Sequence, residues 1–449
     1  MTGVQHPASY RDPAGFIFTW NEVLYRAVQP VYEPAYRHLM DSGLYEKLTA
    51  KGWLIPHEEI TDLSLEFNGY KLLKPKALSI WSYPYEWSFG QLKDAALLTL
   101  KLAIAGLEQG MILKDATAYN IQFLEGKPIL IDSLSYDLYE EGKPWQAFRQ
   151  FCDHFLNPLL IMQAFPQLNP AFLMAYPDGL SPALTAQMLP WKKRLSLNHQ
   201  LYVYLAASTA KSGSGSKAHV LPKIKILQNL NQLKDFIGKL KLKPAKSTWN
   251  TYYEETILSQ EYLANKETVV RSILTSIKPK RITDVGCNTG AFSIIASEVA
   301  EEVIALDSDV RSVERLYQLG KSNIYLFVAD ITNPTPSLGW ANEERSTLMA
   351  RIGGDAVLAL ALIHHLALAK NVPLPFISKL FADITSDWLL IEFVPKEDPK
   401  SQLLLAGKGD IFPSYTQEDF EAAFETYFTT EQRVAMQPTD RTLYVMRKK

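Results

Sequence analysis

The chain has 449 residues, 47% of them apolar and 21% charged, with a net charge near −2; such a length asks for two or three cores rather than one, and the balanced charge excludes a chain-wide electrostatic affinity for nucleic acid or anionic membrane. Two cysteines, Cys152 and Cys287, stand far apart without metal-ligand spacing, so neither a disulfide framework nor a metal site is expected. The N-terminus lacks a basic patch followed by an apolar run, and no apolar window reaches membrane-spanning length, so a soluble cytoplasmic protein without a membrane span is expected.

In chain order, the first informative pattern is a helix expected over 92–110. It leads into Met111-Ile-Leu-Lys-Asp-Ala-Thr-Ala-Tyr-Asn120, then Ile121-Gln-Phe123 and Pro128-Ile-Leu-Ile-Asp132. A carboxylate, an amide five residues later and a second aspartate ending a short apolar run resemble the catalytic loop and metal-binding strand of protein kinase-like and aminoglycoside phosphotransferase-like folds. The similarity spans about residues 70–161. It implies Asp115 in the place of the catalytic base, Asn120 as the amide metal ligand and Asp132 as the metal-binding aspartate. Other parts of that pattern are missing: there is no upstream G-x-G-x-x-G loop and no V-A-I-K strand. Leu113 stands where a histidine is usual, and Asp132-Ser-Leu134 replaces D-F-G. Lys71, Lys74 and Lys76 are candidates for the missing lysine, with nothing to choose among them. The leading expectation is a degenerate, vestigial kinase-like site. A working phosphotransferase and a plain turn held by Asx side chains are the alternatives.

The small-residue stretch over 210–217, Ala-Lys-Ser-Gly-Ser-Gly-Ser-Lys, cannot bury enough surface to order itself and reads as a linker. After it, over 223–243, Ile226, Leu230, Leu233, Ile237 and Leu240 recur at helical spacing, while Lys225, Lys234, Lys239, Lys241 and Lys243 cover the other side. This is an amphipathic basic helix, either packed with a solvated lysine face or docking an acidic substrate, RNA or a membrane surface.

From Lys278 onward short apolar runs alternate with helical patterns, which means a parallel sheet with helices on its faces. In such sheets ligands bind outside the carboxyl ends of the strands. The first run, Arg281-Ile-Thr-Asp-Val285, ends in Asp284-Val-Gly-Cys-Asn-Thr-Gly290, where Gly286 and Gly290 allow a tight turn at a helix start. The second ends in Asp307, placed to accept hydrogen bonds from vicinal ribose hydroxyls; the third ends in Ala329-Asp330, placed to accept one from an adenine amino group. A nicotinamide dinucleotide fingerprint would need glycines where Asn288 and Ala291 stand. The stretch DVGCNTG instead resembles the first motif of class I S-adenosylmethionine-dependent methyltransferases, with Asn288 replacing the middle glycine, and the resemblance covers roughly the last 200 residues. It implies S-adenosyl-L-methionine as cofactor. Asp284, Gly286, Cys287, Asn288 and Gly290 would then lie around its methionine part, with Asp307 at the ribose and Ala329 and Asp330 at the adenine.

The fourth run, Asp355 to Ile363, delivers His364 and His365 to the same face, where either could act as a base or touch substrate. The fifth, Asp387-Trp-Leu-Leu-Ile391, ends in Glu392, a further candidate for substrate contact. No N-P-P-Y or D-P-P-Y follows the fourth run and no nucleophilic cysteine is placed for pyrimidine chemistry, so nucleic acid is not an expected partner. The turn-rich aromatic stretch over 408–415 is expected to cap the site or the sheet edge.

These readings give an α/β protein: a kinase-like α+β domain over 1–210, linker and basic helix over 211–248, and a Rossmann-like, doubly wound methyltransferase domain over 249–449. As a whole the chain looks like bacterial chains that join such a segment to a methyltransferase, some of them compared with nodulation-type proteins. The expected reaction is methyl transfer to an oxygen or nitrogen of a small molecule or glycan. A bifunctional methyltransferase and kinase, or a non-catalytic S-adenosylmethionine-binding protein, are the alternatives.

Overall fold

The computed structural model describes residues 4–61, 69–212, 221–242, 260–406 and 411–449. The chain divides into two units, residues 1–244 with 337–345, and residues 245–336 with 346–449.

The first unit opens with an antiparallel sheet of β1 (Val4–Gln5), β2 (Gly15–Trp20), β3 (Val23–Val28), β4 (His57–Glu59) and β5 (Lys71–Pro75), in the order β1-β2-β3-β5-β4. Asn21 and Glu22, both at positive φ (49° and 64°), make the two-residue turn that joins β2 to β3 with the twist a hairpin requires. Phe18, Tyr25, Ala27 and Leu72 form the buried side of this sheet.

The helix Phe89–Glu108 starts at a capping box, in which Gln91 N–H donates to the Ser88 hydroxyl and Ser88 N–H to the Gln91 side chain. It is buried around most of its circumference, as its near-continuous apolar sequence requires. Behind it come β6 (Met111–Leu113), the hairpin β7 (Ile121–Leu124) and β8 (Lys127–Leu130), and β9 (Tyr136–Leu138), which pairs with β6. Among the described residues, the other regular elements of the unit are helices. Residues 210–212 of the expected linker complete the helix Leu205–Ser212, and the rest of it, 213–217, lies outside the described residues.

The basic helix runs over Lys223–Lys239, with Ile226, Leu230, Leu233 and Ile237 buried. It stops before Leu240, whose backbone is extended, and Lys93 Nζ donates to the carbonyls of Gly238, in the last turn, and Leu240, just past it, at 2.8 and 2.9 Å. Lys243, at the expected end, lies outside the described residues.

The second unit is a seven-stranded sheet of β10 (Arg281–Val285), β11 (Glu302–Asp307), β12 (Ile324–Val328), β13 (Gly354–Ala359), β14 (Thr385–Phe393), β15 (Phe428–Met436) and β16 (Arg441–Lys448). Its order is β12-β11-β10-β13-β14-β16-β15, and only β16 runs against the others. A dinucleotide-binding sheet keeps six parallel strands, so the reversed β16 between β14 and β15 sets this unit apart. Strand order reverses at β10, which pairs with β11 on one side and β13 on the other. The crevice beyond that reversal is where an open sheet of this kind takes its ligand.

Sequence expectation and structure differ at β13. The apolar run reaches Ile363, but the strand ends at Ala359, and Ala361 sits in the left-handed region at φ 51°. The chain turns there, so His364 and His365 stand at the start of the helical turn His365–Ala369 rather than on the strand. Among the described residues no helix is long and apolar enough to cross a membrane.

Candidate functional site

The carboxyl ends of β10 to β13 enclose a cleft of about 400 Å³, a size suited to a small-molecule ligand. After β10, Gly286 (φ 77°), Asn288 (φ 50°) and Gly290 (φ 88°) form a turn in which all three take left-handed backbone. Asn is among the few non-glycine residues that adopt this conformation readily, which is why Asn288 can replace a glycine. A Cβ on Gly286 would stand 3.2 Å from Leu362 Cδ1, and one on Gly290 only 2.4 Å from Leu316 Cδ1. The turn is tied to β11 by Gly286 and Cys287 N–H, both donating to the Leu306 carbonyl at 2.9 and 3.0 Å.

Asp307, at the end of β11, accepts the backbone N–H groups of Asn288 and Asp309, each at 2.8 Å. One carboxylate thereby fixes the turn after β10 relative to the start of the next helix, and it lines the cleft. Burial raises its pKa against those two donors. Asp330, after β12, also lines the cleft. Partial burial pushes its pKa up, but the Thr332 hydroxyl at 2.6 Å, the Thr332 N–H at 2.9 Å and the Lys370 ammonium at 3.4 Å outweigh this and hold it low.

Of the residues expected at a cofactor or substrate, Gly286, Asn288, Asp307, Ala329, Asp330 and His365 line the cleft. Asp284, Cys287, Gly290, His364 and Glu392 stand behind it. Asp284 is buried and accepts the Ser293 hydroxyl at 2.6 Å; burial, with Asp307 close by, pushes its pKa up to about 6. The His364 and His365 rings lie 4.1 Å apart, centroid to centroid. Burial lowers both pKa values, helped by the Arg441 charge, and His365 falls to about 4. Among the described residues, neither ring nitrogen of His364 has a hydrogen-bond partner.

Glu392 is fully buried and carries a polar network the sequence reading did not find. It accepts the Tyr262 hydroxyl and, at 2.5 Å, the Lys266 ammonium. Arg441 donates to the Tyr262 oxygen at 3.0 Å and forks onto Asp398 at 2.7 and 2.9 Å. Burial alone would neutralise Glu392, yet Lys266 and Arg441 hold its pKa low, so it stays a carboxylate. Its partners come from the helix Gln260–Ile277 and from β16, and it does not face the cleft as a strand-end contact would. Of the expected cap over 408–415, residues 408–410 lie outside the described residues. Tyr415 stacks on Phe393 at 5.5 Å and donates to the Val394 carbonyl at 2.7 Å, so this end packs on the exit from β14.

In the first unit, Asp115, Asn120 and Asp132 do come together. Asn120 Nδ2 donates to Asp115 at 2.9 Å and to the Ser135 hydroxyl oxygen at 3.3 Å, and Gln150 donates to Asp115 at 2.7 Å. Burial, and then the Asp132 charge, raises the Asp115 pKa. Asp132 is ion-paired with Arg26 from β3 and accepts the Ser135 hydroxyl at 2.7 Å and the Leu134 N–H at 3.1 Å. Lys71 is taken up by Glu59 at 2.6 Å. Among the described residues no group of three or more His, Cys, Asp or Glu side chains could hold a metal ion.

No family model matches the sequence. Among solved structures, the N-methyltransferase NodS from Bradyrhizobium japonicum WM9 is 14% identical, with 42% of this chain and 98% of that one covered at a TM-score of 0.33. Magnesium protoporphyrin IX methyltransferase (ChlM) from Synechocystis PCC 6803, with bound S-adenosylhomocysteine, is 15% identical over 45% of this chain and 93% of that one, at 0.31. The bifunctional kinase-methyltransferase WbdD is 14% identical over 44% of this chain and 41% of its own, also at 0.31. At these scores the likeness says nothing specific about chemistry. Full-length similarity is of another order: the nodulation protein NoeA of Rhizobium meliloti (strain 1021) is 34% identical over 453 residues, covering 97% of this chain and 94% of NoeA. A match of that depth along nearly the whole of both chains makes this chain a member of the NoeA family.

Proposed function

We propose that the second unit binds S-adenosyl-L-methionine in the β10–β13 cleft and transfers its methyl group to an oxygen or nitrogen of a small-molecule or glycan acceptor. The observation that carries this reading is Asp307. It is a carboxylate held by two backbone donors at the end of the strand beside the glycine turn, with its remaining lone pairs available to a diol. Asp330 one strand further, kept ionised and therefore an acceptor, suits an exocyclic amino group. Gly286 leaves room where any side chain would press on Leu362. When bound, the cofactor supplies an electrophilic sulfonium methyl group.

The chain's own part is to position. Asp307 would hold the ribose hydroxyls, Asp330 the adenine amino group, and Asp284, behind the turn, the ammonium end by charge. His365 is the expected residue nearest an acceptor. With its pKa near 4 it is neutral at pH 7 and too weak a base to suit general base catalysis, which works best near the operating pH. We assign it to orienting the acceptor through a neutral ring nitrogen. Glu392 is assigned to holding the scaffold.

The first unit is read as kinase-like without phosphoryl transfer, because the Arg26 guanidinium already neutralises Asp132 where a metal ion would have to bind. Both readings are tested by calorimetric titration of the intact protein with S-adenosylmethionine and, separately, ATP with magnesium. Asp307→Ala is expected to weaken S-adenosylmethionine by at least ~10-fold through two lost hydrogen bonds. ATP is expected not to bind. S-adenosylmethionine that fails to bind the unaltered protein overturns the first reading, and ATP binding that disappears in Asp132→Ala overturns the second.

A further inference from the structure

We propose that the first unit docks on an anionic lipid bilayer through the segment from Trp191 to Leu205, an inference independent of the methyltransferase reading. The segment begins with the 3₁₀ turn Trp191–Leu195 and continues as one helical run from Leu197 to Ser212. His199, Tyr202, Val203 and Ala207 fill one side of that run and are buried. The opposite side would ordinarily be charged. Here it carries Leu197, Leu201 and Leu205, one helical turn apart, and Trp191 and Leu195 extend the same exposed apolar run. These five side chains are between 49% and 81% exposed. Isolated exposed apolar side chains need no explanation, but five in fifteen residues do.

Charge identifies the occupant. Between Asp178 and Asp235 the sequence has no Asp or Glu and eight Lys or Arg, in a chain whose overall charge is close to balanced. Lys192 and Arg194 are exposed directly beside Trp191 and Leu195. A leucine stripe in an acid-free, basic stretch of sequence, with a tryptophan and two exposed cations at one end, suits the interface of a bilayer rich in anionic headgroups: the apolar side chains enter the acyl boundary and the cations meet phosphate. A second copy of the chain would bring Lys192 and Arg194 near their own counterparts, which disfavours self-association through this face.

The test is co-sedimentation of the full chain with phosphatidylcholine vesicles, with and without phosphatidylglycerol, at low and high salt. The unaltered protein is expected to pellet with the anionic vesicles only, and less at high salt. Lys192→Glu/Arg194→Glu is expected to weaken binding at least ~10-fold. Leu197→Ser/Leu201→Ser/Leu205→Ser should weaken it at both salt concentrations, with circular dichroism and light scattering run on each protein. If the serine variant does not fold, the charge variant, whose substitutions are on exposed side chains, decides alone. The proposal is overturned if the unaltered protein ignores anionic vesicles, or if the charge variant binds them unchanged. It is equally overturned if the serine substitutions turn a dimer into a monomer while vesicle binding persists, since the stripe then belongs to a second copy.

Discussion

Asp284 and Asp330 are the same side chain at two strand ends of one sheet, and their surroundings push them in opposite directions. Asp330 has a lysine and a threonine to stabilise its charge, whereas Asp284 has one serine hydroxyl in a buried site and reaches a pKa of about 6. A carboxyl whose pKa is higher folded than unfolded holds its proton more tightly in the native state. Its contribution to stability is complete below its ordinary value of 3.8 and is lost as pH rises through about 6. The loss is about 3 kcal/mol by linkage. Asp284→Asn removes the charge while keeping the shape. Denaturation midpoints of variant and unaltered protein should therefore diverge between pH 4 and pH 6, with the variant gaining. A constant difference across that range would show that Asp284 is not the titrating group. The carboxylate would thus be kept at a cost to stability, as expected of a residue retained for a ligand's ammonium. Asp307 and Asp330 were legible in the sequence because a polar residue after an apolar run is a local signal. What each carboxylate experiences was not legible, since its neighbours come from other strands.

At the scale of elements, the helix Gln260–Ile277, β14 and β16 are pinned together by Lys266, Glu392, Tyr262 and Arg441. Removing one member of a buried ion pair leaves the other charge without compensation, typically a loss of about 3–5 kcal/mol. Lys266→Met should lower stability on that scale, and Lys266→Met/Glu392→Gln should recover a substantial part of it in chemical denaturation. Equal losses in the two proteins would mean that the ion pair is not what couples these elements. The sequence contained an overlooked clue to this network. Tyr262, Lys266, Val270, Ile273 and Leu274 fall on one helical face, and all are buried. A lysine within an apolar stripe calls for a buried partner. That partner, Glu392, is 126 residues away, beyond the reach of any local pattern. Apolar run and strand end at or next to the same residue in β10 to β12. They part at β13, where the apolar sequence continues through the left-handed Ala361 into a helix.

At the scale of the molecule, residues 337–345 lie in sequence between β12 and β13 but belong to the first unit. There Glu344 accepts the Tyr10 hydroxyl and pairs with Arg11 at 2.6 Å, and the Arg345 guanidinium lies 3.8 Å from the centre of the Tyr119 ring. A fragment comprising residues 1–244 lacks these partners. It should unfold at lower denaturant than the same unit in the intact chain, by about 1–3 kcal/mol for the hydrogen bonds and charge left unpaired. A fragment as stable as the intact unit would make the segment a passenger. Alternating apolar runs announced the sheet of the second unit. Nothing in Ser337 to Arg345 announced that it completes the first, because short polar connections carry no period.

The chain therefore crosses between its units three times, at 244/245, 336/337 and 345/346. A gene rearrangement with one breakpoint can hand on the second unit only with a piece of the first inside it, and the first only with that piece missing. A single cut anywhere in the chain therefore cannot release both units whole.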